Sequence, residues 1–375
     1  MLKLKVLEEL GKPYKIFTDH VESSAIEQFV SVMKQPDVKQ GALMPDVHAG
    51  YVLPIGGVVA TEWTIYPAFV GYDIGCGVCT VPIDLNAALL AGDPAKYRKI
   101  VEDAVPVGFT VHKQPFDLSE LERHIGRAPE SIRDIAESHL NQVGTLGGGN
   151  HFVELGVSEK TGKVHISIHS GSRGMGARVA EKYMQLSGGE GIHPIDTREP
   201  LGREYLAAMN YCLRWALFNR KMMVKNIMTG LGLEFNTYRT PDIFINRNHN
   251  HAEFKDGLWI HRKGATHAED GMLGVIPANM RDGVFIVRGR GNPDSLCSSS
   301  HGAGRVMSRS KAKKTFSLDD FQEQMGAINP DGFTVDEKRI DEAPSVYKDI
   351  NEVMKNQTDL IDVIDHVKPL VNVKG

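Results

Sequence analysis

One carboxylate and one thiol lie three residues apart in Gly71-Tyr72-Asp73-Ile74-Gly75-Cys76-Gly77. Glycine supplies unusual dihedrals and room for close backbone approach, so a tight turn there can point Asp73 and Cys76 at one cation. The plainer reading of the pair alone is a turn carboxylate beside a core cysteine, and further donors must decide. The chain offers them in His48, His151, His165, His169, His249, His251, His261, His267 and His301. In Gly147-Gly148-Gly149-Asn150-His151-Phe152-Val153-Glu154, three glycines allow a nest of backbone amides suited to phosphate oxygens, just before a strand. It is not a Walker loop, because the Gly-Lys-Ser/Thr ending is missing.

His165-Ile166-Ser167-Ile168-His169 alternates as a strand, placing both histidines on one face. His169 is the better ligand candidate, since it adjoins the polar loop Ser170-Gly171-Ser172-Arg173, whose arginine could grip a phosphate. Asn246-Arg247-Asn248-His249-Asn250-His251 suits metal ligation combined with hydrogen bonding to a purine or phosphate; plain surface histidines are the alternative. Asp46 and His48 share a side if their segment is extended, and they serve a metal's outer shell, a phosphate, or nothing beyond the loop. Ser298-Ser299-Ser300-His301-Gly302-Ala303-Gly304-Arg305 is a hydroxyl-rich loop leading into a basic helix, and strand and helix bracket it as they would not a flexible linker.

Asp73, Cys76, His151, His169 and His249 thus form a mixed O, S and N donor set for manganese, zinc or iron. Asn150, Arg173, Lys263 and Arg305 are candidate phosphate contacts around it. His301, as a neutral imidazole beside a phosphate, could attack phosphorus and form a covalent intermediate. Spacing and composition therefore point to a metal-dependent phosphoryl or nucleotidyl transferase, with a metallohydrolase as a close alternative.

These residues need elements to position them. Residues 1–18 read as a short strand and connection, and 22–33 as a helix whose Ala25, Ile26, Phe29, Val30 and Met33 recur at helical spacing. Residues 51–81 read as short buried strands and tight turns, 86–140 as a helical insertion, and 201–228 as a long helix with a basic face. Residues 235–245 lead into the histidine-asparagine stretch, strands follow near 259–267, 274–277 and 284–289, and 351–367 has helical periodicity.

The chain has 375 residues and a formal net charge of -4, so any nucleic-acid partner would depend on locally concentrated positive charge, as at 214–225 and 305–314. Four irregularly spaced cysteines read as reduced thiols rather than a disulfide scaffold. The N-terminal stretch has no signal-peptide core and no run reaches membrane-spanning length, so a cytoplasmic protein without a membrane partner is expected.

Together with Met44-Pro45-Asp46-Val47-His48, Lys263-Gly264, residues 289–309, Tyr347-Lys348-Asp349 and the terminal Lys374-Gly375, these motifs resemble the RtcB family of RNA-splicing ligases. The resemblance spans essentially the whole chain. It implies a single catalytic domain over 1–375, of mixed α/β fold with a central metal- and nucleotide-binding cleft. It implies ligation of an RNA 3'-phosphate or 2',3'-cyclic phosphate end to a 5'-hydroxyl end, through histidine-GMP and RNA-ppG intermediates.

Carried over by motif, His301 would be the guanylylated nucleophile, and Asp73, Cys76, His151, His169 and His249 would hold two Mn2+ ions bridged by Cys76. GTP would be met by Asn150, Glu154, His249, Asn250, Ser300, His301, Gly302, Ala303, Gly304, Arg305, Tyr347 and Lys374. A monomer is expected, and an activating protein partner is left open. The chain is compact for the family, and His251, beside His249-Asn250, is a rival ligand. The alternatives are a metal phosphoesterase acting on RNA ends, which would use the same cluster without a covalent nucleotide, and a noncatalytic RNA-binding protein.

Overall fold

The β-branched and alternating runs pair into two large sheets in the computed structural model, which describes residues 2–234, 244–326 and 328–375. The first sheet runs Tyr14–Ile16, Val38–His48, Ile55–Thr61, Leu258–Lys263 and Asn250–Lys255. The second runs Leu273–Pro277, Val284–Gly289, Ile361–Lys374, Phe152–Ser158, Val164–Ser170, Gly77–Ile83 and Ile245–Asn248. Helices pack on both, giving the mixed α/β class. Helix Ser23–Met33 buries Ala25, Ile26, Phe29, Val30 and Met33, each large apolar side chain contributing about 2 kcal/mol. Helices Ala87–Gly92, Pro94–Ala104, Leu118–Ile125 and Arg133–Glu137 fall in the stretch read as helical.

The register of the second sheet makes the site. Phe152 pairs with His169, Gly77 with Ser170, and Gly77 again with Asn248. Neighbouring antiparallel strands therefore start and stop at one edge, where His151, Cys76, His169 and His249 each lie at or beside a strand end. His249 is the single residue between Ile245–Asn248 of one sheet and Asn250–Lys255 of the other. His301 follows Ser298–Ser300, which pairs with Ala265–His267.

Three expectations are corrected. Leu2–Glu9 is a helix, and Pro67–Val70 is a helical turn with proline in its first turn. The C-terminal stretch is not helical throughout: helix Ile350–Lys355 is followed by the long strand Ile361–Lys374, which lies inside the second sheet. Residues 235–243 of the segment leading to His249 lie outside the described residues. Among the described residues no helix is long and apolar enough to cross a membrane.

Helix Pro200–Gly230 buries Tyr205, Met209, Cys212, Ala216 and Phe218 as its apolar stripe required, but Arg220 is not on a solvated basic face. Its side chain is fully buried and donates to the Gly75 and Ser170 carbonyls and to the Asn246 and Asn248 side-chain oxygens. It ties together the segments that carry Cys76, His169 and His249. Replacing it by alanine strands two buried carbonyls and two half-buried amide oxygens, so Arg220→Ala is expected to lose about 3–5 kcal/mol in urea unfolding. Bound metal should fall with it, whereas a variant with unchanged midpoint and metal content would show that the clamp is dispensable.

Candidate metal and nucleotide site

Asp73 and Cys76 share a turn closed by the Cys76 N–H donating to the Asp73 carbonyl at 3.1 Å. The Cys76 sulfur lies 3.2 Å from His169 Nε2 and 3.4 Å from His151 Nε2. His151 Nε2 is 3.2 Å from Asp73 Oδ2, and His169 Nε2 is 3.3 Å from His249 Nε2. The contacts therefore run in a chain Asp73–His151–Cys76–His169–His249, and at its centre the ligand atoms of His151, Cys76 and His169 all lie within 4.8 Å of one another. His151 Nδ1 lies 3.0 Å from the Leu146 carbonyl; donation there leaves the Nε2 lone pair facing the cluster.

Electrostatics fit these donors to cations. Burial, then neighbouring imidazoles, keeps His169 and His249 well below the usual histidine value and so neutral. Burial and the Asp73 carboxylate push the Cys76 thiol well up, so a thiolate there requires a positive charge beside it. Asp73 Oδ1 is buried with no hydrogen-bond partner. Gly171 leaves it room, since a Cβ there would stand 2.0 Å from that oxygen. An orphaned carboxylate oxygen, neutral imidazoles and a shared sulfur suit divalent transition-metal ions.

His301 stands against this cluster, its ring centroid 4.7 Å from that of His249. Its Nδ1 lies 2.7 Å from Asp46 Oδ2, and the same oxygen accepts the backbone N–H groups of His301 and Gly302. Burial alone would raise the Asp46 carboxyl, but His301, joined by His48 and Lys348, outweighs it and holds the group below the ordinary value. An ionised Asp46 accepts the Nδ1 proton, which leaves Nε2 as the nucleophilic nitrogen of His301. His48 turns its Nδ1 to the Asp46 carbonyl, and burial lowers it to about 4.

A cavity of about 330 Å³ opens from this point. It is lined by Asp73, Cys76, Asn150, Glu154, His169, His249, Asn250, Lys263, Gly302, Ala303, Gly304, Arg305, Arg309, Tyr347 and Lys374 as well as His48 and His301. At its far end the buried Glu342 carboxylate gathers Lys374 Nζ at 2.8 Å, Arg309 at 2.9 Å, Arg305 at 3.2 Å and the Tyr347 hydroxyl. Glu154 is buried beside them, one oxygen accepting from Asn372 and the other unpartnered. Burial pushes its carboxyl up to about 8. The terminal Lys374 is ordered because it ends a sheet strand and Glu342 holds its ammonium.

Other candidates are placed differently. Ser300 is behind the cavity wall and accepts the Asp46 N–H. Asn250 lines the cavity, yet its amide is engaged by the Asp73 carbonyl and the Gly264 N–H. Arg173 bonds Thr145 and the Gly108 carbonyl rather than facing the cavity. His165 turns to Thr80. His251 pairs with His267 at 2.8 Å, away from the donor cluster, and Asn248 accepts from Arg220. Sequence reasoning missed Glu342 and the clamp by Arg220; the adjacent Asp341-Glu342 pair, five residues before Tyr347, was the only local signal for the former.

The family profile described as "tRNA-splicing ligase RtcB" matches residues 28–129 and 118–375. The chain is similar to RNA-splicing ligase RtcB of Escherichia coli K12, 36% identical over 412 aligned positions covering 100% of both chains. It is also similar to RNA-splicing ligase RtcB2 of an Escherichia coli strain, 28% identical over 95% of this chain and 93% of the relative. Similarity to tRNA-splicing ligase RtcB of Nanoarchaeum equitans is 28%, over 90% and 88%.

Glu154 makes stability depend on pH. With its folded value near 8 against an ordinary 4.5, the folded state keeps a proton that the unfolded chain loses, so its contribution declines as pH rises from about 4.5 to 8. In metal-free protein, Glu154→Gln should therefore unfold at higher urea than the parent at pH 8.5, by on the order of 3 kcal/mol, and match it near pH 5. Equal destabilisation at both pH values would mean that Glu154 is ionised and supports its cationic neighbours.

Proposed function

The chain belongs to the RtcB family of RNA-splicing ligases, and from that premise we propose that it is a GTP- and Mn2+-dependent ligase working through His301-GMP. It would join RNA 3'-phosphate ends, or 2',3'-cyclic phosphates first opened by water, to 5'-hydroxyl ends. The observation that carries this reading is the Asp46-His301 pair set against the donor cluster, four of whose five donors, Asp73, Cys76, His169 and His249, line the same cavity as His301.

His301 Nε2 attacks the α-phosphorus of GTP, forming a P–N bond as pyrophosphate leaves. Asp46 holds the Nδ1 proton and balances the charge that builds on the ring. An oxygen of the RNA 3'-phosphate then attacks this phosphorus, breaks the P–N bond and yields RNA-ppG. The 5'-hydroxyl oxygen next attacks the RNA phosphorus, its proton passes to solvent or base, and GMP departs with the bonding pair. Asp73, Cys76, His151, His169 and His249 would hold the divalent ions, which would neutralise phosphate charge when bound. Manganese is the choice the family suggests, since the donors alone admit zinc or iron equally.

Glu154 would accept guanine N–H groups through its unpartnered oxygen, and those donors would favour the ionised carboxylate over the protonated form that burial favours in their absence. Lys374, Tyr347 and Arg305, fixed by Glu342, form the wall around the nucleotide. Asn150 and Arg305 face the phosphates. Three of the four free cysteines are buried, which supports residence in a reducing cytoplasm.

Incubation with α-labelled GTP and Mn2+ is expected to leave label on the protein that survives denaturation at neutral or alkaline pH and is lost in acid. His301→Ala should abolish it, and Asp46→Asn should slow its formation by about 10²-fold or more. Metal-loaded protein that cleaves RNA-end phosphates without acquiring label would instead establish a phosphoesterase.

A further inference from the structure

Phe109 is fully solvent-exposed, at 105% of the reference area, on a loop built to keep it there. Gly108 takes a positive φ of 64° and donates its N–H to the Gly147 carbonyl at 2.8 Å, while its own carbonyl accepts from Arg173. Leu146 N–H donates to the Pro106 carbonyl, and Thr110 N–H closes a turn on Val107. The loop is thus strapped to the glycine stretch that precedes Asn150 and His151. A Cβ at Gly148 would meet only the Gly108 Cα, at 3.9 Å, so the strip between them is bare backbone. One residue on, about 3.8 Å along the chain, a Cβ added at Gly149 would stand 3.0 Å from the Arg309 guanidinium.

Arg309 lines the cavity and begins helix Arg309–Thr315, which adds Lys311, Lys313 and Lys314 and contains no acidic residue. The three lysines are exposed in a chain whose overall charge is negative. An exposed aromatic ring, a flat glycine strip and a cationic helix thus follow one another beside the cavity mouth. Single-stranded nucleic acid is held by this combination of ring faces for bases and positive charge for the backbone. A protein partner would call for an apolar surround, yet Phe109 stands between Gly108 and the exposed Thr110.

We propose that Phe109, the exposed Gly148 with the neighbouring Gly149, and the Arg309–Thr315 helix form a track for the unpaired RNA leading to the joined end, with Phe109 stacking on one base. The proposal rests on the ligase reading above and names a positioning residue for its substrate. Binding and chemistry are separable, because guanylylation of His301 needs no RNA.

The test measures binding of 3'-phosphorylated single-stranded RNA by anisotropy without GTP, using RNAs carrying one abasic site at each of the last four nucleotides. Phe109→Ala should weaken binding about ten-fold and Phe109→Trp should restore it. One abasic position should weaken the parent equally and leave Phe109→Ala unaffected. Lys311→Gln with Lys314→Gln should lower the salt slope of binding by about 2. Guanylylation should persist in all variants, which controls for folding.

Unchanged affinity in Phe109→Ala, or a loss that remains the same with every abasic RNA, would overturn the track. A defect seen only when a second protein is added would overturn it in favour of a protein-docking face. Failure of the parent itself to guanylylate would sink the ligase reading, while the binding cycle would still report on Phe109.

Discussion

A single buried guanidinium sets the geometry on which the site depends. Arg220 has no exposure and spends its donors on four neutral oxygens from three segments. Burying a cation without a carboxylate partner is unfavourable unless its hydrogen bonds are satisfied, and burial does lower its proton affinity. Its planar fork reaches separate strand ends at once, which an ammonium could not do. The donors of Cys76, His169 and His249 fall in contact, each with the next, because these strand ends are pinned to a common point. A cluster assembled from distant sequence positions needs such support, or its side chains relax apart.

Glu342 does comparable work at the other end of the cavity, with a different electrostatic result. It and Asp341 face Arg305, Arg309, Lys313 and Lys374, so two acids oppose four cations. Positive charge remains where an anionic nucleotide would lie, although the whole chain carries -4. Lys263 adds to it: burial lowers its ammonium to about 8, and its hydrogen bond to the Ala68 carbonyl is long at 3.5 Å. The cavity therefore has a wall of candidate metal donors, a cationic wall, and the Asp46-His301 pair where they meet.

Much of this was legible in the chain. Asp73, Cys76, His151, His169 and His249 sit in short motifs whose residue types announce ligation, and the structure gathers all five. Asp46 was visible only as one polar residue among several uses, because its partner His301 is 255 positions away. Secondary structure failed where local pattern misled. Leu-Lys-Leu-Lys-Val alternates like a strand at residues 2–6, yet it is helical. The strand Ile361–Lys374 carries register shifts opposite Ile286/Val287 and at Pro369/Val371, and these bulges erase the two-residue period that would have revealed it. Arg220 and Glu342 escaped because their meaning lies wholly in long-range contacts.

The glycine motifs carry a further lesson about what such residues are for. Read as sequence, Gly71–Gly77 suggested a tight turn and Gly147–Gly149 a nest of backbone amides for phosphate. In the fold, several make room for side chains instead: a Cβ at Gly71 would stand 2.4 Å from Lys263 Nζ, and one at Gly171 would strike Asp73. Charged groups reach the cavity by passing over bare backbone, which places a cation and a carboxylate close to the donor cluster without widening it. Substituting either glycine would displace a functional side chain rather than merely strain a turn, since the atoms encountered belong to a pocket cation and a ligand carboxylate. Gly71 and Gly171 therefore mark where side chains cross the backbone beside the donor cluster.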